Sequence, residues 1–159
     1  MLAEGLPPYT NFAVFGPHGS RLVTKLKLRG HQFTTDGRGN HAFGPIQIFG
    51  PPGISYWDAS WKVFQNCMFM LDAVDLGTLE AYRNKIHTLQ QEYGGRDVWL
   101  LLYQTDVRAR SERIQRVQLD LVREHAAAQA SNTASPYDPN RPWNAAFLKL
   151  TNDSMWWFE

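Results

Sequence analysis

The sequence predicts an α+β domain: N-terminal β-hairpins packed on a bundle of three main helices plus a short C-terminal helix. Three observations carry that expectation. Residues 1–53 place short apolar and alternating runs between Gly- and Pro-rich turns. From residue 54 the apolar period changes to the three-and-four spacing of helices. The stretch from Val98 to His125 then runs without Gly or Pro and reads as a central helix. At 159 residues the chain suits one domain with a real core. It divides into a β-rich part (1–53), a helical core (54–130), a loop (131–142) and a C-terminal helix with an aromatic tail (143–159).

In the β-rich part, Asn11 to Phe15 reads as a short strand and Gly16 to Ser20 as a turn. Arg21 to Arg29 alternates, with Leu22, Leu26 and Leu28 on one face and Val23, Lys25, Lys27 and Arg29 on the other. Basic residues on an exposed strand discourage edge-to-edge pairing. They also make a surface for nucleic acid or an acidic partner. His31 to Thr35 and Ala42 to Phe49 flank Asp36-Gly37-Arg38-Gly39-Asn40, a strong turn signal, with Arg38 at its tip.

The first helix is expected from Ser55, a plausible N-cap, with Trp57, Trp61, Phe64, Met68 and Leu71 as its buried stripe. Val63, Cys67, Met70 and Val74 widen that stripe, so burial on more than one side is expected and Cys67 reads as a small core residue. Asp75 is placed to cap the second helix. Leu76, Leu79, Tyr82, Ile86, Leu89 and Tyr93 form its stripe, and Gly94-Gly95 ends it. Asp97 is placed to cap the central helix, whose stripe is Tyr103, Val107, Arg110, Ile114, Val117 and Leu121. Arg110 is the one charge on this stripe. A buried guanidinium needs a partner, and Asp106, one turn earlier, is the nearest candidate. The opposite face carries Arg108, Glu112, Arg116, Asp120 and Glu124, each four residues from the last. Opposite charges at that spacing contribute roughly 0.2–0.5 kcal/mol per pair, so the simplest reading is a solvated ladder. The sharper reading makes Arg108, Arg113 and Arg116 phosphate contacts. Pro142 suits a helix start, and Trp143 to Leu150 reads as the C-terminal helix.

Composition narrows the function. The formal net charge is +1, so overall charge names no partner. Residues 1–50 are nonetheless basic, with five Lys and Arg against Glu4 and Asp36, a net of +3. Cys67 is the single cysteine, which excludes an internal disulfide and fits a reducing, intracellular compartment. No stretch reads as a secretory signal or a membrane span, so an intracellular, non-secreted protein is expected. The five histidines show no ligand spacing; His31 and His41 flank one turn, and no metal or cofactor is expected. No nucleophile elbow, dinucleotide fingerprint or phosphate loop is present, so no catalytic residue is named. Six Trp imply a core or interface rich in flat rings. Trp156, Trp157 and Phe158 close the chain, as a candidate interface or as a cover for the core.

Six stretches together carry a resemblance. They are Phe15-Gly-Pro-His-Gly19, Phe49-Gly-Pro-Pro52, Trp57-Asp-Ala-Ser-Trp61, Met70-Leu-Asp-Ala-Val-Asp-Leu-Gly-Thr78, Leu102-Tyr-Gln-Thr-Asp-Val-Arg-Ala-Arg110 and Asp138-Pro-Asn-Arg-Pro-Trp-Asn144. In order and spacing they resemble a multicopy protein family of dinoflagellate genomes, which looks like the N-terminal, Gag-like part of retroelement polyproteins. The resemblance covers roughly Pro8 to the end. It implies a non-enzymatic structural or self-assembly domain of Gag or capsid type. Longer members carry a basic tail with Cys and His, which this sequence does not include. The alternative is a nucleic-acid-binding module for RNA or another single strand, using the basic hairpin and the arginine-rich helix. An enzyme with a dispersed site comes third.

Overall fold

The computed structural model describes residues 7–12, 25–35, 39–51, 53–94 and 96–158. Its helices are α1 (Ile54–Met70), α2 (Leu76–Tyr93), α3 (Arg96–Arg108), α4 (Ile114–Ala130), α5 (Asn144–Asn152) and α6 (Ser154–Trp157). A π-helical segment, Ala109–Arg113, joins α3 to α4, so residues 96–130 form one continuous rod. It replaces the single regular helix expected there.

The α+β expectation is overturned: the chain is mostly helical. The strands among the described residues, β1 (Lys25–Thr35) and β2 (His41–Phe49), make one antiparallel ribbon and no sheet layer. Its register joins Thr35 to His41 and Lys25 to Phe49, with an irregularity between Lys27 and His31. His31 lies opposite Pro45, so the two histidines flanking the turn do not face each other. The physical reason lies in how the bundle is covered. Phe12, expected in a strand, is instead in a short helical turn and is 1% exposed. Its ring lies 6.0 Å from Trp57, 6.2 Å from Trp61 and 6.0 Å from Phe64. Phe12 therefore packs on the rings of α1 without belonging to a strand. A lone ribbon is marginal by itself. Residues 13–24 and the Arg38 turn tip lie outside the described residues.

The core is a file of rings. Trp57 stacks on Trp61 at 5.2 Å, and Trp61 stacks on Tyr82 at 4.9 Å. Tyr82 meets Phe147 and Trp157 edge-on. Five of the six Trp are buried; Trp156 is partly covered. The inner stripes of α1, α2 and α3–α4 supply most of the rest, including Ile86, Ile114 and Leu121. Gly50 brings the chain off β2 against the face of Tyr103, where a Cβ would collide with the ring. Trp99 Nε1 holds the next residue by donating to the Pro51 carbonyl at 2.8 Å.

Local capping departs from expectation at three places. Gly53 is the N-cap of α1, so Ser55 lies inside the helix. Asp97 likewise falls inside α3. Asp75 does stand at the N-cap of α2, but its carboxylate takes Arg141 instead of a helix amide. Asn144 Oδ1 accepts from the Asp75 amide at 3.0 Å, tying α5 to the start of α2.

Inside the file of rings lies an ion pair. Asp106 is 0% exposed and Arg110 1% exposed. Arg110 donates from Nε to Asp106 Oδ1 at 3.0 Å and from Nη2 to Oδ2 at 2.7 Å. Tyr82 Oη donates to Oδ1 at 2.8 Å, and Trp57 Nε1 to Oδ2 at 3.0 Å. The carboxylate thus accepts four hydrogen bonds, drawn from α1, α2 and the π segment. Arg110 Nη1 donates to the Thr10 carbonyl at 2.9 Å, and its guanidinium lies 3.9 Å from the centre of the Phe12 ring. Burial would lower the Arg110 pKa, but the adjacent Asp106 charge outweighs it and the net shift is upward. Tyr82 is pushed far up by burial and then by Asp106, so it stays protonated and donating.

Removing one partner of such a pair leaves a buried charge. We expect Arg110→Ala and Asp106→Ala each to lose ~3–5 kcal/mol, read by urea denaturation. A loss under about 1 kcal/mol, the value of an exposed pair, would contradict the burial of this cluster.

Candidate functional site: an arginine cleft beside an apolar groove

The π segment decides which arginines meet. In a regular helix, residues four apart share a face, as Arg108, Glu112 and Arg116 do. Bonding of i to i+5 in the π turn brings residues five apart into line as well, and so adds Arg113 to Arg108. These four side chains and Trp156 line a cavity of about 200 Å³. Arg108, Glu112 and Arg116 are exposed, and none makes an ion pair among the described residues. The charge ladder expected over this stretch is therefore not closed. Its further members pair elsewhere: Asp120 with Arg123 at 3.8 Å, and Glu124 with Lys149 at 3.4 Å.

Arg113 is the fixed member. Its Nη2 donates to Asp153 Oδ2 at 2.7 Å, and the adjacent guanidinium lowers the Asp153 pKa. Asp153 Oδ1 in turn accepts from the Trp156 amide at 3.3 Å. One carboxylate thus holds both an arginine and the indole-bearing turn α6 against the rod. No local sequence pattern places Trp156 beside these arginines, because forty residues separate Arg113 from Asp153.

On the other side of α6 lies an apolar groove of about 280 Å³, lined by Leu89, Tyr93, Val98, Leu101, Thr105 and Phe158 among others. Trp157 is not free at this surface: it is 7% exposed, and its Nε1 donates to the Leu150 carbonyl at 2.9 Å. Phe158 remains 58% exposed, 6.4 Å from Tyr93 and under the Lys85 ammonium. The aromatic tail is thereby divided: Trp157 completes the core, Trp156 walls the cleft and Phe158 edges the groove.

A second apolar surface lies on α1. Cys67 is exposed, not buried as its neighbours suggested. Val63 and Met70 are exposed with it, so α1 is buried on one side only. Phe69, Met70 and Leu71 form a projecting corner, with Met70 84% exposed.

The remaining candidates are placed as follows. Lys25, Lys27 and Arg29 lie on β1, with Arg29 in its irregular stretch. Arg38 is outside the described residues. Among the described residues, no group of three or more His, Cys, Asp or Glu could hold a metal, and no helix is long and apolar enough to cross a membrane.

One carboxylate–histidine cluster stands apart. Asp58 on α1 accepts from Arg83 Nε at 2.5 Å and Nη2 at 3.0 Å, and lies 3.0 Å from His87 Nε2. It clamps α1 to α2. Comparison with protein-family models, with curated proteins and with solved structures gives no match.

The clamp has a pH signature. The Arg83 hydrogen bonds, opposed by burial and aided by His87, bring the Asp58 pKa down from 3.8 to about 2. A depressed carboxylate stabilises the fold above its unfolded pKa, and that stability is lost as pH falls through the folded value. Melting temperature should therefore drop as pH falls from about 4 towards 2. Asp58→Asn should melt lower at neutral pH and show a smaller acid drop. Parallel acid profiles for parent and variant would contradict the clamp.

Proposed function

We propose that this chain is a non-enzymatic self-assembly domain of the Gag or capsid type, acting in a reducing intracellular compartment. The observation that carries the reading is a pair of separate apolar surfaces. Phe69, Met70 and Leu71 project at the start of the α1–α2 connection. The groove edged by Tyr93, Leu101 and Phe158 lies at the far end of α2. With 18 residues, α2 spans about 27 Å. Large exposed apolar patches mark interaction sites. A projection and a recess on different parts of one subunit favour head-to-tail contact, which yields rings or open filaments. The exposed Cys67 thiol supports the reducing compartment.

Sedimentation velocity over a concentration series tests the reading. Full-length chain should form a ladder of species. Met70→Glu and Leu101→Glu should each keep the fold and lose the ladder. A hot-spot truncation costs ~2 kcal/mol or more, roughly thirtyfold in association. Mixing the two variants should give a capped dimer, since each retains one intact surface. A parent that stays monomeric at near-millimolar concentration would sink the proposal; variants that fail to dimerise on mixing would sink its head-to-tail form.

A nucleic-acid-binding reading is favoured by a different observation, the gathered arginines.

A further inference from the structure

We infer that the cleft between the π segment and α6 is a phosphate site for single-stranded nucleic acid, with Trp156 as a stacking surface for a base. Arg108 and Arg116 present guanidinium groups at one small cavity and have no ion-pair partner among the described residues. Guanidinium is the side-chain group best matched to phosphate, through paired N–H donors. Glu112 lies in the same cavity, so the site is not uniformly basic. It therefore suits one phosphate held at a set position rather than diffuse polyanion attraction.

Size argues for a polymer. Pockets that enclose whole small molecules run from about 300 Å³ upward, whereas this cavity holds about 200 Å³. It admits one group of a longer ligand. Trp156 is partly exposed at the wall, and Trp157 packs against it at 4.9 Å with the two ring planes nearly perpendicular. Arginine beside an accessible indole is the pairing that holds single strands, phosphate on one and base on the other. A duplex keeps its bases stacked inside and offers no face to the ring.

The π turn gives the site its origin. Such insertions concentrate at functional positions. Here the segment carries two arginines three residues apart with different partners: Arg110 is buried against Asp106, and Arg113 reaches Asp153.

The test is fluorescence anisotropy of a labelled single-stranded oligouridylate, titrated with the full chain over a salt series. Arg108→Gln with Arg116→Gln removes two exposed cations that hold no structural bond, and a thermal melt confirms the fold. Binding should weaken, and the log–log salt slope should fall by about 1.4, at ~0.7 per single-strand contact. Trp156→Leu should weaken binding and leave the slope unchanged. Lys25→Gln, Lys27→Gln and Arg29→Gln together should leave the cleft-dependent loss intact. Four outcomes overturn the inference: no binding by the parent at low salt; an unchanged slope in the double arginine variant; loss only in the β1 triple variant; or competition by inorganic phosphate as strong, per phosphate, as by unlabelled oligouridylate.

Discussion

Four hydrogen bonds converge on the two oxygens of Asp106, and three segments of the chain meet because of them. A carboxylate taken out of water is costly unless it is paired and its lone pairs are filled. Arg110 supplies the charge and two donors; Tyr82 and Trp57 supply the others. Tyr82 and Trp57 are themselves members of the stacked rings. Slipping α1 or α2 along the rod would uncover the carboxylate as well as open the packing. Polar geometry therefore fixes a register that apolar rings alone would leave adjustable. Arg110 carries the arrangement outward: its third bond, to Thr10, and its stacking on Phe12 draw in the N-terminal segment.

That draw explains why the molecule is helical. Phe12 covers the Trp57, Trp61 and Phe64 rings of α1, and it does so from a helical turn instead of a strand. The ribbon of β1 and β2 is left with a small attachment near α3, where Gly50 presses on Tyr103 and Trp99 holds Pro51. A strand pattern in the sequence gives strands, but a layer needs an uncovered apolar face to rest on.

The same rod divides inside from outside. Through the π turn, Arg110 faces the core and Arg113 faces α6. The Arg113–Asp153 bond then sets where the last aromatic residues go. Trp157 enters the core beside Tyr82, while Trp156 and Phe158 border two different recesses. An apolar tail read as one surface is three side chains with three roles.

Much of the helical framework was legible in the sequence. The middles of the expected stripes, Leu79, Tyr82, Ile86, Leu89 and Tyr103, Arg110, Ile114, Val117, Leu121, are buried as helical period indicated, whereas Leu76 and Tyr93 at the ends of the α2 stripe and Leu71 at the end of the α1 stripe are exposed and Val107 is half-buried. Arg110 on an apolar stripe pointed to Asp106, since a partner one turn away needs no knowledge of the fold. The second side of α1 was misread: Val63, Cys67 and Met70 are apolar enough for a core, yet whether a face is covered depends on how many neighbours arrive, and periodicity does not count neighbours. The missing sheet layer has the same cause. Trp156 beside the arginines was equally illegible, as it rests on a bond between residues forty apart. The sequence determined the faces of each helix by local geometry. Only the tertiary structure decided which faces are covered, because long-range contacts compete for one limited core surface.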